Sequence, residues 1–541
     1  MASKTEKIRY SVNNNSVDSA SSIEEPNDNP FADPQIAAYW RKIYEDVGYE
    51  NLHRFDPDFT WNKEEEKKLV RRLDLKVFSW TFVMFCALDL VRRNINRAVS
   101  DNLVSGDIPG LDTNGYNLGQ TIYLISFLCA ELPLNLLSKK FGPNVVVSAE
   151  CLVWSIICIS QSAMRTRAQF LALRALLGFA QGGFIPDQIL YLSYYYTNTE
   201  LPLRLAIFWT AIPLFQILGS LLASGLLEMR GIHGKTGWQW LFIIEGLMSL
   251  GVAIPSFYVM RSGPTQTKNI LFKSRPAWFN EHEEKILVNR LLRDDPAKGD
   301  MNNRQALNIR QILRTVLSEY DFWPLYIQGL MAFIPFQPVT AYMSLILRSM
   351  GYSVFLSNVL AIPGQFWFLI NLPLVVYFSH KVKEKSICVG IANYFIFPFV
   401  VALVAYPATG SDWVKYFLLT GIVALPYTHA ILASWVSHIS NNVASRSVAT
   451  PLYNMMYQVG SIAASNIYRE SDKPYYIRGN KIILGITVFN CVFPFFTKAY
   501  YIMRNKQKEK KWNSMTKEEQ IEYTTNTTDS GVKRLDFRFV H

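Results

Sequence analysis

Charge is scarce in this chain: 18% of its 541 residues are Asp, Glu, Lys or Arg, against roughly a quarter in ordinary soluble domains. That shortage argues against the three or four soluble domains the length would otherwise allow. Cysteine is scarce as well, six residues with no CxxC pair. All six fall inside or at the ends of apolar runs, where a thiol acts as a small buried hydrophobe, so no disulfide framework is expected. The chain does not open on a basic-then-apolar signal segment, and the first spanning helix is expected to direct insertion itself. Catalytic signatures are missing too. HExxH and GxSxG do not occur, and the nearest approach to a phosphate loop, the GKT beginning at Gly234, has Met229 where the first glycine belongs. These absences exclude an ATP-driven pump and leave a membrane enzyme without a reactive cluster. No metal or cofactor is expected.

What the chain has is apolar sequence in blocks. Half of it is apolar, yet the mean hydropathy is only +0.09, so distinctly polar stretches must separate the blocks. Those stretches are 1–74, 261–319 and 504–541, and they leave roughly 370 residues, room for twelve passes at about 20 residues plus a short loop each. The expected spans are 76–98, 118–138, 144–162, 168–195, 204–227 and 240–260, then 321–346, 354–378, 385–405, 413–437, 448–466 and 481–503. With the N-terminus inside, inner segments carry nearly twice as many Lys and Arg as outer ones, which places both tails and the central loop in the cytosol. The net charge of +11 is read as this topology signal, because the basic residues sit at the ends of apolar runs; nucleic acid is not an expected partner.

An internal echo supports two halves. Ser138-Lys139-Lys140 ends the second span and Ser379-His380-Lys381 the eighth, 241 residues later. The expected fold is an all-α polytopic membrane protein of twelve transmembrane helices in two six-helix pseudo-symmetric halves, the major facilitator plan. The divisions are 1–74, a largely disordered cytosolic tail; 75–260, the first half; 261–319, a cytosolic loop; 320–503, the second half; and 504–541, a cytosolic tail. Such a protein is expected to act as a monomer in the bilayer.

Several motifs resemble one branch of that superfamily, the fungal allantoate permease family of anion:cation symporters. They are RNINRA from Arg93, ELPLNLLSKKFGP from Glu131, RALLGFAQGGFIPD from Arg174, YLSYYY with Glu200 and Arg204 behind it, and GWQWLFIIEG from Gly237. WFNEHEEKILVNRLLRDDP in the central loop, Trp435, Arg446 and IYRESDKPYYIRG from Ile467 complete the set. The resemblance implies uptake of a small organic anion, driven by protons through alternating access, at the plasma membrane. Arg92 occupies the position of an arginine associated with anion binding in that family. Two departures stand beside it: Val91 and Gln181 replace the family's usual carboxylates.

A charge at the bilayer centre costs a few kcal/mol or more and is retained for function or pairing. Asp89, Arg92, Glu131, Glu150, Arg174, Asp187 and Glu245 all lie in the first six spans, so anion capture and ion coupling are expected there. Arg174 shares a helical face with Gln181 and suits a carboxylate or sulfonate through its planar fork; alternatively it pairs with Asp89 or Glu131. Arg92 alternatively snorkels to the interface. With the two usual carboxylates gone, Asp89, Glu131 or Asp187 takes over the proton, or coupling is weaker. Gln181, Gln216, Gln337, Gln365 and Gln458 are the neutral candidates for the substrate site, with Tyr427, His429 and Tyr457 at similar depth, against helix–helix hydrogen bonds as the plainer role. Fewer acids beside two arginines leave a positive cavity, which favours a permanently ionised sulfonate or related anion over a weak carboxylate. A transporter-like sensor, or an uncoupled facilitator, is the competing expectation.

Overall fold

Backbone amides find no water inside hydrocarbon, so long apolar runs close their hydrogen bonds on themselves as helices. The computed structural model describes residues 29–265, 277–300, 319–382, 384–407, 410–439, 443–516, 519–520, 522–523 and 531–540, and among the described residues it contains helix and no strand. Two helices precede the first pass, α1 (Pro34–Val47) and α2 (Lys63–Leu73). The first six passes are α3 (Ser79–Ala98), α4 (Thr113–Phe141), α5 (Pro143–Gln161), α6 (Arg167–Gln181) with α7 (Phe184–Ser193), α8 (Leu201–Trp209) with α9 (Ala211–Leu226), and α10 (Gly237–Val259). The central loop contributes α11 (Glu281–Asp294). The second six are α12 (Trp323–Met331) with α13 (Phe336–Ser349), α14 (Val354–Val359) with α15 (Ile362–Val382), α16 (Ser386–Ala405), α17 (Asp412–Val423) with α18 (His429–Ile439), α19 (Val443–Ser465) and α20 (Ile477–Asn513).

Among the described residues, nine of these passes are long and apolar enough to cross a bilayer on length and composition alone. The first, tenth and eleventh fall outside that set. Asp89, Arg92, Arg93 and Arg97 sit in α3, the tenth pass breaks between Val423 and His429, and α19 is rich in Ser, Thr, Asn and Gln. The last pass runs on to Asn513, ten residues past the expected end.

Two passes approach closely where glycine permits it. A Cβ on Gly178 would stand 2.2 Å from the Tyr123 carbonyl oxygen, and one on Gly182 2.5 Å from that of Phe127. Small residues let α4 and α6 touch backbone to backbone. The start of α6 is fixed by a reciprocal cap, the Gln169 amide donating to the Thr166 hydroxyl and the Gln169 side chain accepting from the Thr166 amide, both at 3.3 Å. Cap and glycines together bring Arg174 and Gln181 against Tyr123.

The tail expected to be largely disordered over 1–74 is ordered from residue 29. Phe31, Trp40, Tyr44 and Phe55 bury themselves with Val288 and Leu292 of α11 in a small separate core. Arg54 pairs with Glu281 and Glu284, and Arg290 donates to Glu200 at 3.0 Å and to the Tyr195 carbonyl at 2.8 Å. Aromatic residues in a polar tail found a partner surface more than 200 residues away, which tail composition does not reveal. Residues 1–28, the loop stretches 266–276 and 301–318, and the side chain of Arg446 lie outside the described residues.

Candidate functional site

Between the halves lies a cavity of about 140 Å³. Its first-half wall is Arg92, Arg93 and Asn96 of α3 with Tyr116, Gln120 and Tyr123 of α4; its second-half wall includes Gln337, Thr340, Tyr427, Tyr457 and Ser461. The first half therefore contributes the charge, and the second hydroxyls, amides and rings. Arg92 rests over the Tyr123 and Phe127 rings, 5.7 and 5.1 Å from their centroids. Arg93 donates to Asp89 Oδ1 at 2.7 Å. Across the cavity Gln337 Nε2 donates to Ser461 at 3.0 Å, and the Tyr427 hydroxyl meets that of Tyr457 at 3.3 Å. A smaller cavity adjoins the first, sharing Arg93 and Asn96 and adding Arg97, Gln216 and Gln365.

Of the residues expected at the site, Arg92 and Gln337 line the main cavity, Asp89 reaches it through Arg93, and Gln216 and Gln365 line the smaller one. Arg174 lies behind the wall. It has no exposed surface, donates to Gln120 Oε1 at 2.6 Å, and faces the Tyr123 ring at 4.4 Å; among the described residues it pairs with neither Asp89, which Arg93 holds, nor Glu131. Gln181 is equally enclosed and accepts from the Tyr123 hydroxyl at 2.6 Å. Gln458 is buried in α19 and Glu131 half-buried in α4, neither among the lining residues. Asp187 is buried and accepts from Asn135 at 2.9 Å. Sequence reasoning passed over Arg93, Asn96, Tyr116 and Gln120 as site residues. The one readable signal was Asp89 four residues before Arg93, an ion-pair spacing on a helix.

The halves are tied together at one end of the cavity. The Tyr342 hydroxyl bonds Asn117, Asn117 donates to the Tyr468 carbonyl at 2.6 Å, and the Thr113 amide donates to Glu470 at 2.9 Å. Asn466 reaches Thr121 at 2.9 Å, and Asn358 reaches Ser100 at 3.1 Å. All these contacts lie at the end away from α1, α2 and α11.

Residues 81–465 match the sequence pattern of the Major Facilitator Superfamily. The chain belongs to that superfamily. A protein of Saccharomyces cerevisiae named as an uncharacterized transporter is 61% identical over 536 residues, covering 99% of this chain and 98% of its own. A protein of Agrobacterium vitis named for tartrate transport is 29% identical over 238 residues, 44% of this chain and 52% of its own. Among solved structures, the xylose transporter XylE from E. coli, in a partially occluded inward-open conformation, aligns with a TM-score of 0.54 at 12% identity, covering 78% of this chain and 97% of that one. The nucleoside transporter NupG aligns at 0.55 and 12%, covering 79% and 99%; at such identities the likeness is one of fold. This facilitator is a multi-pass membrane transporter of a small substrate, and in the structure its halves are joined by hydrogen bonds at the end opposite the tail and central-loop helices.

Proposed function

We propose that this facilitator takes up a small organic anion by proton-coupled alternating access, as the resemblance to allantoate permeases implies, with a sulfonate or similar sulfur-containing anion ahead of a carboxylate. The observation that carries the reading is the pair of guanidiniums, Arg92 and Arg93, on the wall of one cavity between the halves. Arg92 is held by rings instead of a carboxylate, so its charge is available to a ligand. Arg93 is matched by Asp89, which is 3% exposed; an anion that took over Arg93 would release Asp89 to accept a proton, which couples the two. The tartrate named for one relative is an anion, which agrees with this class. The proposed setting is the plasma membrane, with both tails cytosolic, the divisions 75–260 and 320–503 as the rocking halves, and a single chain as the working unit.

The test is uptake of labelled ethanesulfonate and of its carboxylate counterpart propanoate in cells with and without the protein, before and after the proton gradient is collapsed. Accumulation of ethanesulfonate that disappears with the gradient supports the proposal. Preference for propanoate removes the sulfonate assignment. Binding without accumulation of either replaces transport by a sensor role.

A further inference from the structure

We propose that Arg174 acts on the cargo at second hand, by fixing the hydrogen-bond polarity of Gln120, Tyr116 and Asn96 so that the cavity wall meets a ligand with amide donors. This rests on the anion-transport reading above. A guanidinium donates and never accepts. Arg174 Nη2 donates to Gln120 Oε1 at 2.6 Å, so the Gln120 amide must stand with its nitrogen turned the other way. That nitrogen donates to the Tyr116 hydroxyl at 2.9 Å and to Asn96 Oδ1 at 3.2 Å. With its oxygen accepting, Tyr116 commits its single proton to Asn96 Oδ1, at 2.8 Å. Asn96 Oδ1 then accepts two bonds, and the side chain has only its Nδ2 hydrogens left to offer, where it lines both cavities. Amide orientation is ordinarily ambiguous; here a group without an acceptor dictates it.

The alternative, that Arg174 merely ties helices together, fits its surroundings less well. Its Nε and Nη1 have no hydrogen-bond partner among the described residues, and a fully enclosed cation with two unmet donors is a costly fastener. Its guanidinium does not line the cavity, but the polarity it imposes on Gln120 carries through to residues that do. Beside Arg92 and Arg93, Asn96 Nδ2 completes a wall of donors that suits the oxygens of an anion and leaves a ligand's own donors unmatched. Arg174 is thus a positioning residue, and Asn96 the ligand-facing end of its relay.

The experiment follows the stabilisation of the purified full-length chain against thermal unfolding as ethanesulfonate is titrated in, with sulfate and propanoate as further anions. Losing one well-placed donor to an anion is expected to raise the half-saturating concentration about tenfold in Arg174→Met and in Asn96→Asp, whereas Arg174→Lys, which can still donate to Gln120, returns to within about threefold of wild type. Tyr116→Phe, which removes one of the two bonds holding Asn96, is expected to fall between. If Arg174→Met does not fold, Asn96→Asp and Tyr116→Phe decide. Wild-type affinity in Arg174→Met or in Asn96→Asp, or an Arg174→Lys as weak as Arg174→Met, overturns the relay while wild-type stabilisation by anions keeps the transport reading standing. Failure of all three anions to stabilise the wild type overturns both.

Discussion

Arg92 and Arg93 are adjacent in the chain but point about 100° apart around α3, and that rotation gives them different work. Arg92 keeps its charge over two rings, while Arg93 shares its charge with Asp89 at 2.7 Å. On the proposed function, an entering anion would meet a competing carboxylate at Arg93 and only rings at Arg92. Substituting Arg92→Gln is therefore expected to raise the half-saturating concentration of ethanesulfonate roughly 10- to 100-fold, the range for losing a hydrogen bond to a charged group; unchanged uptake kinetics would remove Arg92 from the site. Asp89→Asn should do the opposite to binding, tightening it by freeing Arg93, while abolishing accumulation driven by the proton gradient. Measuring affinity and gradient dependence on the same variant separates the two effects. At this scale the sequence disclosed residue types but not their facing. Asp89 and Arg93 are legible as an i, i+4 pair, whereas Gln120 and Asn96 carry no local mark that they stand between Arg174 and the cavity.

At the scale of elements, the contact of α4 with α6 sets the geometry behind the cavity, and it depends on the missing Cβ of Gly178. Gly178→Ala would push against a carbonyl oxygen at 2.2 Å, and overpacking of this kind costs about 1–3 kcal/mol. A lower melting temperature is expected, with weaker anion binding because Tyr123 moves with the backbone. Gly251 in α10 is the matched control: beyond its own stretch of helix nothing lies within 4 Å of its would-be Cβ, so Gly251→Ala should stabilise slightly, by about 0.5–1 kcal/mol. The docking of α11 makes a separate prediction. Burial alone would raise the Glu200 carboxyl, but hydrogen bonds and charge from Arg290, with the Thr197 amide, outweigh it and hold the group below its ordinary value. A depressed carboxylate contributes stability that is complete above the unfolded value, near 4.3, and disappears as pH falls through the folded one. Exchange protection over residues 281–294, relative to the intrinsic amide rate at each pH, should therefore fall below about pH 4, and Glu200→Gln should show low protection at neutral pH with little further acid dependence. The passes themselves were legible because apolar length is a local property. The ordering of residues 29–62 was not, since its partner is α11.

For the whole molecule, alternating access requires the hydrogen-bonded end to open. Thr121 and Ser465 carry hydroxyl oxygens 3.3 Å apart across the halves, close enough that cysteines in their places are expected to bridge. The double variant Thr121→Cys, Ser465→Cys should lose transport on oxidation and regain it with reductant, each single variant remaining active; full transport in the oxidised, cross-linked protein would show that this end need not separate.

The sequence by itself determined the class of molecule. Scarce charge, apolar runs of bilayer length, an echo between halves and mid-span charges concentrated in the first six passes point to a helical facilitator with most of its intramembrane charge in one half, because hydrophobic length and charge placement are written residue by residue. Only the tertiary structure decided which arginines meet the cavity. Arg174 looked as eligible as Arg92 along the chain, and the close approach of α4 to α6 put Gln120 and Tyr123 in front of it while leaving Arg92 and Arg93 on the wall. Which side of a helix faces a cavity depends on the backbone packed against it, and that backbone lies tens of residues away in sequence.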